Sequence, residues 1–216
     1  MEDLKLKRRV LDISYKNNLS HLGSYFSCLD IVDKIFANMK EDDIFILSCG
    51  HAAVAFYAVL EKYHGIDAEY LFNKHGGHPH RDDNDKIYCS TGSLGMGISV
   101  ATGRALARPD ITVHCLISDG ECAEGVVWES LKFIHENRVE NIKIYANLNG
   151  YAAYDAVDEQ YLERRLRAFL PDVNILHSDV NHFPFLRGLN AHYHIMKEHD
   201  YRQAVSMLED ASEKSI

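Results

Sequence analysis

The chain has 216 residues, 46% of them hydrophobic, with twelve Tyr and nine Phe; that is enough apolar surface for a sizeable core and argues against disorder. Its formal net charge of -9, with no dense basic block, argues against a nucleic-acid binder, and Lys7-Arg8-Arg9 and Arg164-Arg165 read as solvated helix faces. Five cysteines without a CxxC pair argue against a disulfide framework or a zinc site. No apolar run reaches membrane-span length. The start, MEDLKLKRRV, lacks the apolar core of a signal peptide. The expectation is a reduced, cytoplasmic protein with neither membrane nor nucleic acid as partner.

In chain order, residues 4–17 read as a helix. Ser20-His21-Leu22-Gly23-Ser24 breaks it, and Ser27 looks like the N-cap of the next helix, with Leu29, Ile31, Val32, Ile35 and Phe36 at helical spacing. Ile44 to Leu47 is a short buried strand followed by the turn Ser48-Cys49-Gly50-His51, and Ala52 to Tyr63 is an Ala-rich helix. Residues 64–90 read mostly as loop, containing Gly76-Gly77-His78-Pro79-His80. Ser90 to Gly97 is a run rich in Gly and Ser that opens a helix from Ile98 to Ala107.

The stretch from Ile111 to Tyr151 is the most informative. A β-branched run, Ile111 to Ile117, stops at Ser118-Asp119-Gly120; a helical pattern follows from Glu124 to Arg138; a second β-rich run, Ile142 to Ala146, leads into Asn147-Leu148-Asn149-Gly150. This is a βαβ unit. Parallel strands with a crossover put their carboxyl ends on one sheet edge, so Asp119 and Asn149 offer two hard oxygen ligands there, suited to Mg2+ or Ca2+ with a diphosphate. After it, Asp158 caps a helix that Pro171 closes, Val173 to Leu176 is a strand, Ala191 to Met196 reads as a last strand, and Tyr201, Ala204, Val205 and Leu208 mark a C-terminal helix whose final residues, Ser212 to Ile216, are expected to fray. Strands alternating with helices, without a boundary in composition, predict a single α/β domain over residues 1–216 with a mainly parallel sheet.

Taken singly, each polar residue has an ordinary explanation: Asp119 as a cap, Asn149 as a turn residue, Glu124 and Glu129 as acids in the first turns of a helix, each histidine as a loop residue. Histidines beside glycines in separate turns, His21, His51 and His78, are harder to dismiss together, because imidazole bonds phosphate oxygens and relays protons. The strand histidine is the safer reading for His192 and His194.

These motifs, in this order over residues 20–151, resemble the N-terminal, thiamine-diphosphate-binding half of transketolases. They are His21-Leu22-Gly23, Phe45 to Ala53 (FILSCGHAA), Gly77-His78-Pro79, Ser90 to Gly97 (STGSLGMG), Asp119-Gly120-Glu121, Glu124-Gly125, Trp128-Glu129 and Asn149-Gly150. The resemblance implies the thiamine-diphosphate-binding fold. It implies that Asp119, Asn149 and the Tyr151 carbonyl hold Mg2+ or Ca2+, and that His51, Gly120 and the Gly92 to Leu94 backbone contact the cofactor. His21 and His78 would face the donor sugar, and Glu124, with Glu129, would act from the subunit interface in support of the cofactor. Ser118 departs from the family's glycine, the family's G-K-G segment is not recognisable, and residues 152–216 match poorly.

In that family a second domain binds the pyrimidine ring, and no stretch after Tyr151 resembles it. The implied reading is one subunit of a split transketolase, needing a pyrimidine-domain partner in a heterotetramer or around a dimer of diphosphate domains, with sugar phosphates as substrates. The alternatives are a relative that condenses pyruvate with glyceraldehyde phosphate, as deoxyxylulose-phosphate synthases do, and a non-catalytic scaffold that kept the fold. Gly77-His78-Pro79 and Trp128-Glu129 favour transketolase over the former.

Overall fold

The computed structural model describes residues 3–213; of the stretch expected to fray, residues 212 and 213 are helical and 214–216 lie outside the described residues. The elements are α1 (Leu4–Lys16), α2 (Leu22–Phe36), β1 (Ile44–Leu47), α3 (Ala53–His64), α4 (Ala68–His75), α5 (Met96–Ala107), β2 (Val113–Ser118), α6 (Gly125–Glu136), β3 (Ile142–Leu148), α7 (Glu159–Phe169), β4 (Asn174–His177) and α8 (Glu198–Glu213). Among the described residues no helix is long and apolar enough to cross a membrane.

The strands form one parallel sheet in the order β1-β2-β3-β4, with Ile44 opposite Val113, Val113 opposite Ile142, and Tyr145 opposite Asn174. The period of two along each strand sorts side chains to two faces. Ile46, Cys115, Ile117 and Ile144 join Ile98 of α5, Leu131 of α6 and Leu166 of α7 in one core. Phe45, Leu47 and Leu116 join Leu11 of α1, Phe26 of α2, Phe56 of α3, Leu71 of α4 and Ala204 of α8 in the other. Helices on both faces explain why β2 is buried along its whole length and reads as a continuous apolar run rather than an alternating one. The α/β class with a mainly parallel sheet is what the sequence predicts.

Local expectations hold where a cap or a strong period marks the element. Asp158 accepts from the Tyr161 N–H and caps α7. One expectation is refined and two are corrected. Residues 64–90 contain α4, whose N-cap is Asp67, accepting from the Tyr70 N–H at 2.7 Å; eight residues between glycines carry too short a period to stand out. The second helix starts at Leu22, not after Ser27. His21 precedes it at φ 65°, and Ser27 lies inside the helix, buried. Ala191 to Met196 is not a strand: Gly188–His192 is a 3-10 turn, closed by Tyr193 N–H and His194 N–H donating to the Asn190 carbonyl.

Because the sheet is parallel, the turns after β1, β2 and β3 emerge along one edge. The loops before α2 and α5, and the Gly188–His192 turn, pack against that edge.

Candidate functional site

A cavity of about 190 Å³ opens at this edge, lined by His21, His51, His78, Gly92, Leu94, Ser118, Asp119, Gly120, Asn149, Tyr151, Ala152, Ala153, His192 and Tyr193. The turn after β1 brings His51, the turn after β2 brings Ser118 to Gly120, and the turn after β3 brings Asn149 to Ala153. His78 and Gly92 come from the long α4–α5 connection and touch: a Cβ on Gly92 would lie 3.2 Å from the His78 ring. Of the site residues singled out in the sequence, Glu124 lies outside the lining set; it is the exposed N-cap of α6, and Glu129 is exposed one turn further on.

Asp119 is 3% exposed. Its Oδ2 accepts the N–H groups of Asn149 at 2.9 Å and Gly150 at 2.8 Å, and its Oδ1 accepts that of Gly120 at 3.0 Å. The carboxylate thus ties the end of β2 to the turn after β3. Burial nevertheless pushes its pKa up to about 6, with these N–H bonds opposing. Asn149, 8% exposed, donates from Nδ2 to Ser27 Oγ at 3.3 Å, and its Oδ1 accepts the Tyr151 N–H at 3.1 Å. Asn147 also reaches Ser27 Oγ, at 3.2 Å. Ser27 is therefore a hub under the turn, not a cap.

The histidines form a cluster. The His21 and His51 ring centroids are 5.6 Å apart and those of His21 and His192 are 6.4 Å apart. Burial lowers all three, to about 3 for His51 and about 4 for His192, and the neighbouring imidazoles add to the effect. They are neutral at physiological pH, each able to donate at one nitrogen and accept at the other. Among the described residues His21 Nδ1 and His192 Nε2 are buried with no protein partner, as is Oγ1 of Thr91, the neighbour of Gly92.

Two residues here escaped the sequence reading. His192 lines the cavity from the 3-10 turn, and its carbonyl accepts the His21 N–H at 2.7 Å. His194 points elsewhere, to Asp200 Oδ2 at 3.0 Å. Only the pairing of His with a turn-forming Gly-Leu-Asn run hinted at this. The other is Glu121, fully buried. Its Oε1 accepts Ser48 Oγ–H at 2.7 Å and the Gly95 N–H at 2.8 Å, and its Oε2 accepts the Ser118 N–H at 3.1 Å. One carboxylate thereby clamps the ends of β1 and β2 to the loop that starts α5, while burial raises its pKa to about 7. Glu121 stood inside a recognised motif, but nothing in the sequence told it from a surface acid.

The arrangement fits an anionic cofactor held through a cation. Among the described residues no Lys or Arg lines the cavity, so a diphosphate there needs a metal ion for neutralisation. Asp119 Oδ1 and Asn149 Oδ1 each carry one N–H bond and keep a lone pair, and both are hard oxygens of the kind Mg2+ and Ca2+ prefer. The unpartnered nitrogens of His21 and His192 fit a ligand rich in oxygen.

Comparison with known proteins agrees with this geometry. The family described as XFP N-terminal domain matches residues 86–169, a span that includes Gly92, Asp119 and Asn149 of the cavity wall. The chain is 27% identical over 203 residues to one of the subunits of the apulose-4-phosphate transketolase of Phocaeicola vulgatus, covering 83% of this chain and 72% of that protein. It is 28% identical over 189 residues to a 6-deoxy-6-sulfo-D-fructose transketolase subunit, SqwG, of a Clostridium species, covering 76% of this chain and 68% of that one. In fold it is similar to the transketolase of Campylobacter jejuni, with a TM-score of 0.69 at 15% identity; the match covers 96% of this chain and 43% of that structure, so the chain spans less than half of it. Family match, relatives and fold point the same way: the chain is similar to the XFP N-terminal domain over residues 86–169, to transketolase subunits in sequence and to a transketolase in fold.

Proposed function

We propose that the chain is the diphosphate-binding subunit of a transketolase that depends on thiamine diphosphate and a divalent cation. With a separate pyrimidine-domain subunit, it transfers a two-carbon ketol unit between sugar phosphates. The observation that carries this reading is the convergence of His21, His51, His78, Gly92, Asp119 and Asn149 on one cavity that, among the described residues, no Lys or Arg lines. Two relatives of which the chain spans 72% and 68% are themselves named as transketolase subunits, which supports the two-subunit reading.

In this reading Asp119, Asn149 and the Tyr151 carbonyl hold Mg2+ or Ca2+. His51, Gly120 and the Gly92 to Leu94 backbone hold the cofactor. Thiamine diphosphate, when bound, supplies the nucleophilic carbon and the electron sink that C–C cleavage beside a carbonyl requires. This chain's residues position and shield. Asp119 pins the turn after β3, so the oxygens of Asn149 and Tyr151 stay in place without reorganisation. His21 and His78 face the donor sugar, and neutral His21, with Nδ1 free, exchanges a proton with a sugar hydroxyl. Tyr193 OH donates to the Ala153 carbonyl, joining two cavity walls. Glu124 and Glu129, exposed on α6, face a neighbouring protomer and support the cofactor from there.

The direct test is calorimetric titration with thiamine diphosphate in the presence and absence of Mg2+, on the chain alone and with its partner. Metal-dependent binding is expected, and Asp119→Ala abolishes it while leaving the circular dichroism spectrum unchanged. Turnover is expected only with the partner, and with xylulose phosphate rather than pyruvate as donor. Failure of the wild-type chain to bind the cofactor even with the partner would favour a scaffold; pyruvate as the better donor would favour the deoxyxylulose-phosphate branch.

A further inference from the structure

Ser24 lies in the first turn of α2, 2% exposed, and its Oγ is 2.9 Å from His192 Nδ1. The direction of this hydrogen bond decides what His192 offers the cavity. If Nδ1 carried the proton, Ser24 Oγ would accept it, and the hydroxyl's own proton would need a second acceptor inside a buried site. Among the described residues Ser24 Oγ has no other hydrogen-bond partner. A buried donor left unmade costs about 1–3 kcal/mol, whereas an oxygen with a spare lone pair is tolerated. Either tautomer leaves one donor without a protein partner, but the His192 ring lines the cavity, where water or a ligand oxygen can accept from it, whereas Ser24 is not among the lining residues; the hydroxyl proton is therefore satisfied only when Ser24 donates and Nδ1 accepts. The imidazole proton then sits on Nε2, which is buried, faces no acceptor among the described residues and belongs to a ring that lines the cavity.

We propose that Ser24 is a positioning residue: by donating to Nδ1 it holds His192 as the Nε2–H tautomer, so that His192 presents a fixed donor to a ligand oxygen in the cavity. Burial holds the His192 pKa down to about 4, so the ring stays neutral and the tautomer matters. The same turn fixes His21, because the His192 carbonyl accepts the His21 N–H. Gly23 makes the approach possible: a Cβ there would lie 2.7 Å from Ala191 Cβ. A carbonyl, hydroxyl or phosphoryl oxygen satisfies this donor; an N–H group is repelled by it. That the oxygen belongs to the donor sugar rests on the proposed function, whereas the tautomer does not.

The test is long-range 1H–15N correlation spectroscopy of the imidazole rings in the ligand-free chain at pH 7, with the His192 signals assigned by their loss in His192→Gln. The expected pattern is a protonated Nε2 and an unprotonated Nδ1. In Ser24→Ala the two nitrogen shifts move toward each other as tautomers mix, and Ser24→Thr restores the wild-type pattern. A protonated Nδ1 in the wild type, or an unchanged pattern in Ser24→Ala, overturns the proposal. A merely structural serine would lower the melting temperature and leave the tautomer alone. With cofactor and partner present, Ser24→Ala is expected to raise KM for the donor sugar up to about tenfold, the loss of one oriented hydrogen bond; an unchanged KM refutes the contact with the ligand. Cofactor-free spectra stand whether or not the chain binds thiamine diphosphate, so failure of one reading is distinguishable from failure of the other.

Discussion

Two glycines on α5 are expected to respond to alanine with opposite signs. A Cβ on Gly97 would lie 2.5 Å from Ser48 Cα and 2.7 Å from Ser48 Cβ and Oγ. The nearest of these is backbone, so no change of rotamer relieves the clash. Forcing a methyl group in costs about 1–3 kcal/mol. Ser48 Oγ also donates to the buried Glu121 carboxylate, and displacing that bond costs about 1.5–3 kcal/mol more. Alanine returns about 1 kcal/mol of helix propensity, leaving a net loss of about 1.5–5 kcal/mol. For a chain of this length each kcal/mol shifts Tm by about 2–4 °C, so Gly97→Ala should melt about 3–20 °C lower. Gly103, on the same helix, has nothing within 4 Å of its added Cβ, and Gly103→Ala should gain about 0.5–1 kcal/mol, raising Tm by about 1–4 °C. Thermal unfolding of both variants, followed by circular dichroism or calorimetry, checks this. If Gly97→Ala melts within about 2 °C of wild type, or Gly103→Ala falls as far as Gly97→Ala, the close approach of α5 to the end of β1 has been misjudged.

Glu121→Gln keeps the shape but offers one acceptor oxygen where the carboxylate offers two, so either Ser118 N–H or the Ser48 and Gly95 donors face an NH2 group; a loss of about 1–3 kcal/mol in urea unfolding and weaker cofactor binding are expected, and unchanged stability would falsify the clamp. His192 supplies a pH dependence. Its folded pKa is lowered to about 4, so below pH ~6.5 the unfolded chain takes up a proton that the folded chain refuses. Its contribution to stability therefore falls by about 1.4 kcal/mol per pH unit as pH drops from about 6.5 toward 4, then levels off. His192→Gln should flatten that limb of a stability–pH curve by about one proton, and an unchanged slope would show that the ring is not buried neutral.

Much of the architecture was legible locally. The period of the apolar positions, the β-branched runs and the caps are properties of neighbouring residues, and they marked β1, β2, β3, α6 and α7 and placed Asp119 and Asn149 at strand ends. Parallel pairing across a crossover then required those ends to share an edge, so the core of the cavity followed from chain order. The residues that escaped depend on segments far apart in the chain. Ser27 has the look of an N-cap, yet the helix begins earlier and its hydroxyl meets Asn147 and Asn149. Glu121 is an acid in a turn until the loop before α5 closes over it and burial makes it a clamp. His192 reads as a strand residue until β4 takes the sheet's edge and the following chain turns back over α2, bringing its ring to Ser24 and the cavity. The sequence by itself determined the α/β alternation, the turn chemistry and the strand ends that carry Asp119 and Asn149. The tertiary structure alone decided burial, and burial sets which side chains lose their water and must find a partner, in the protein or in a ligand.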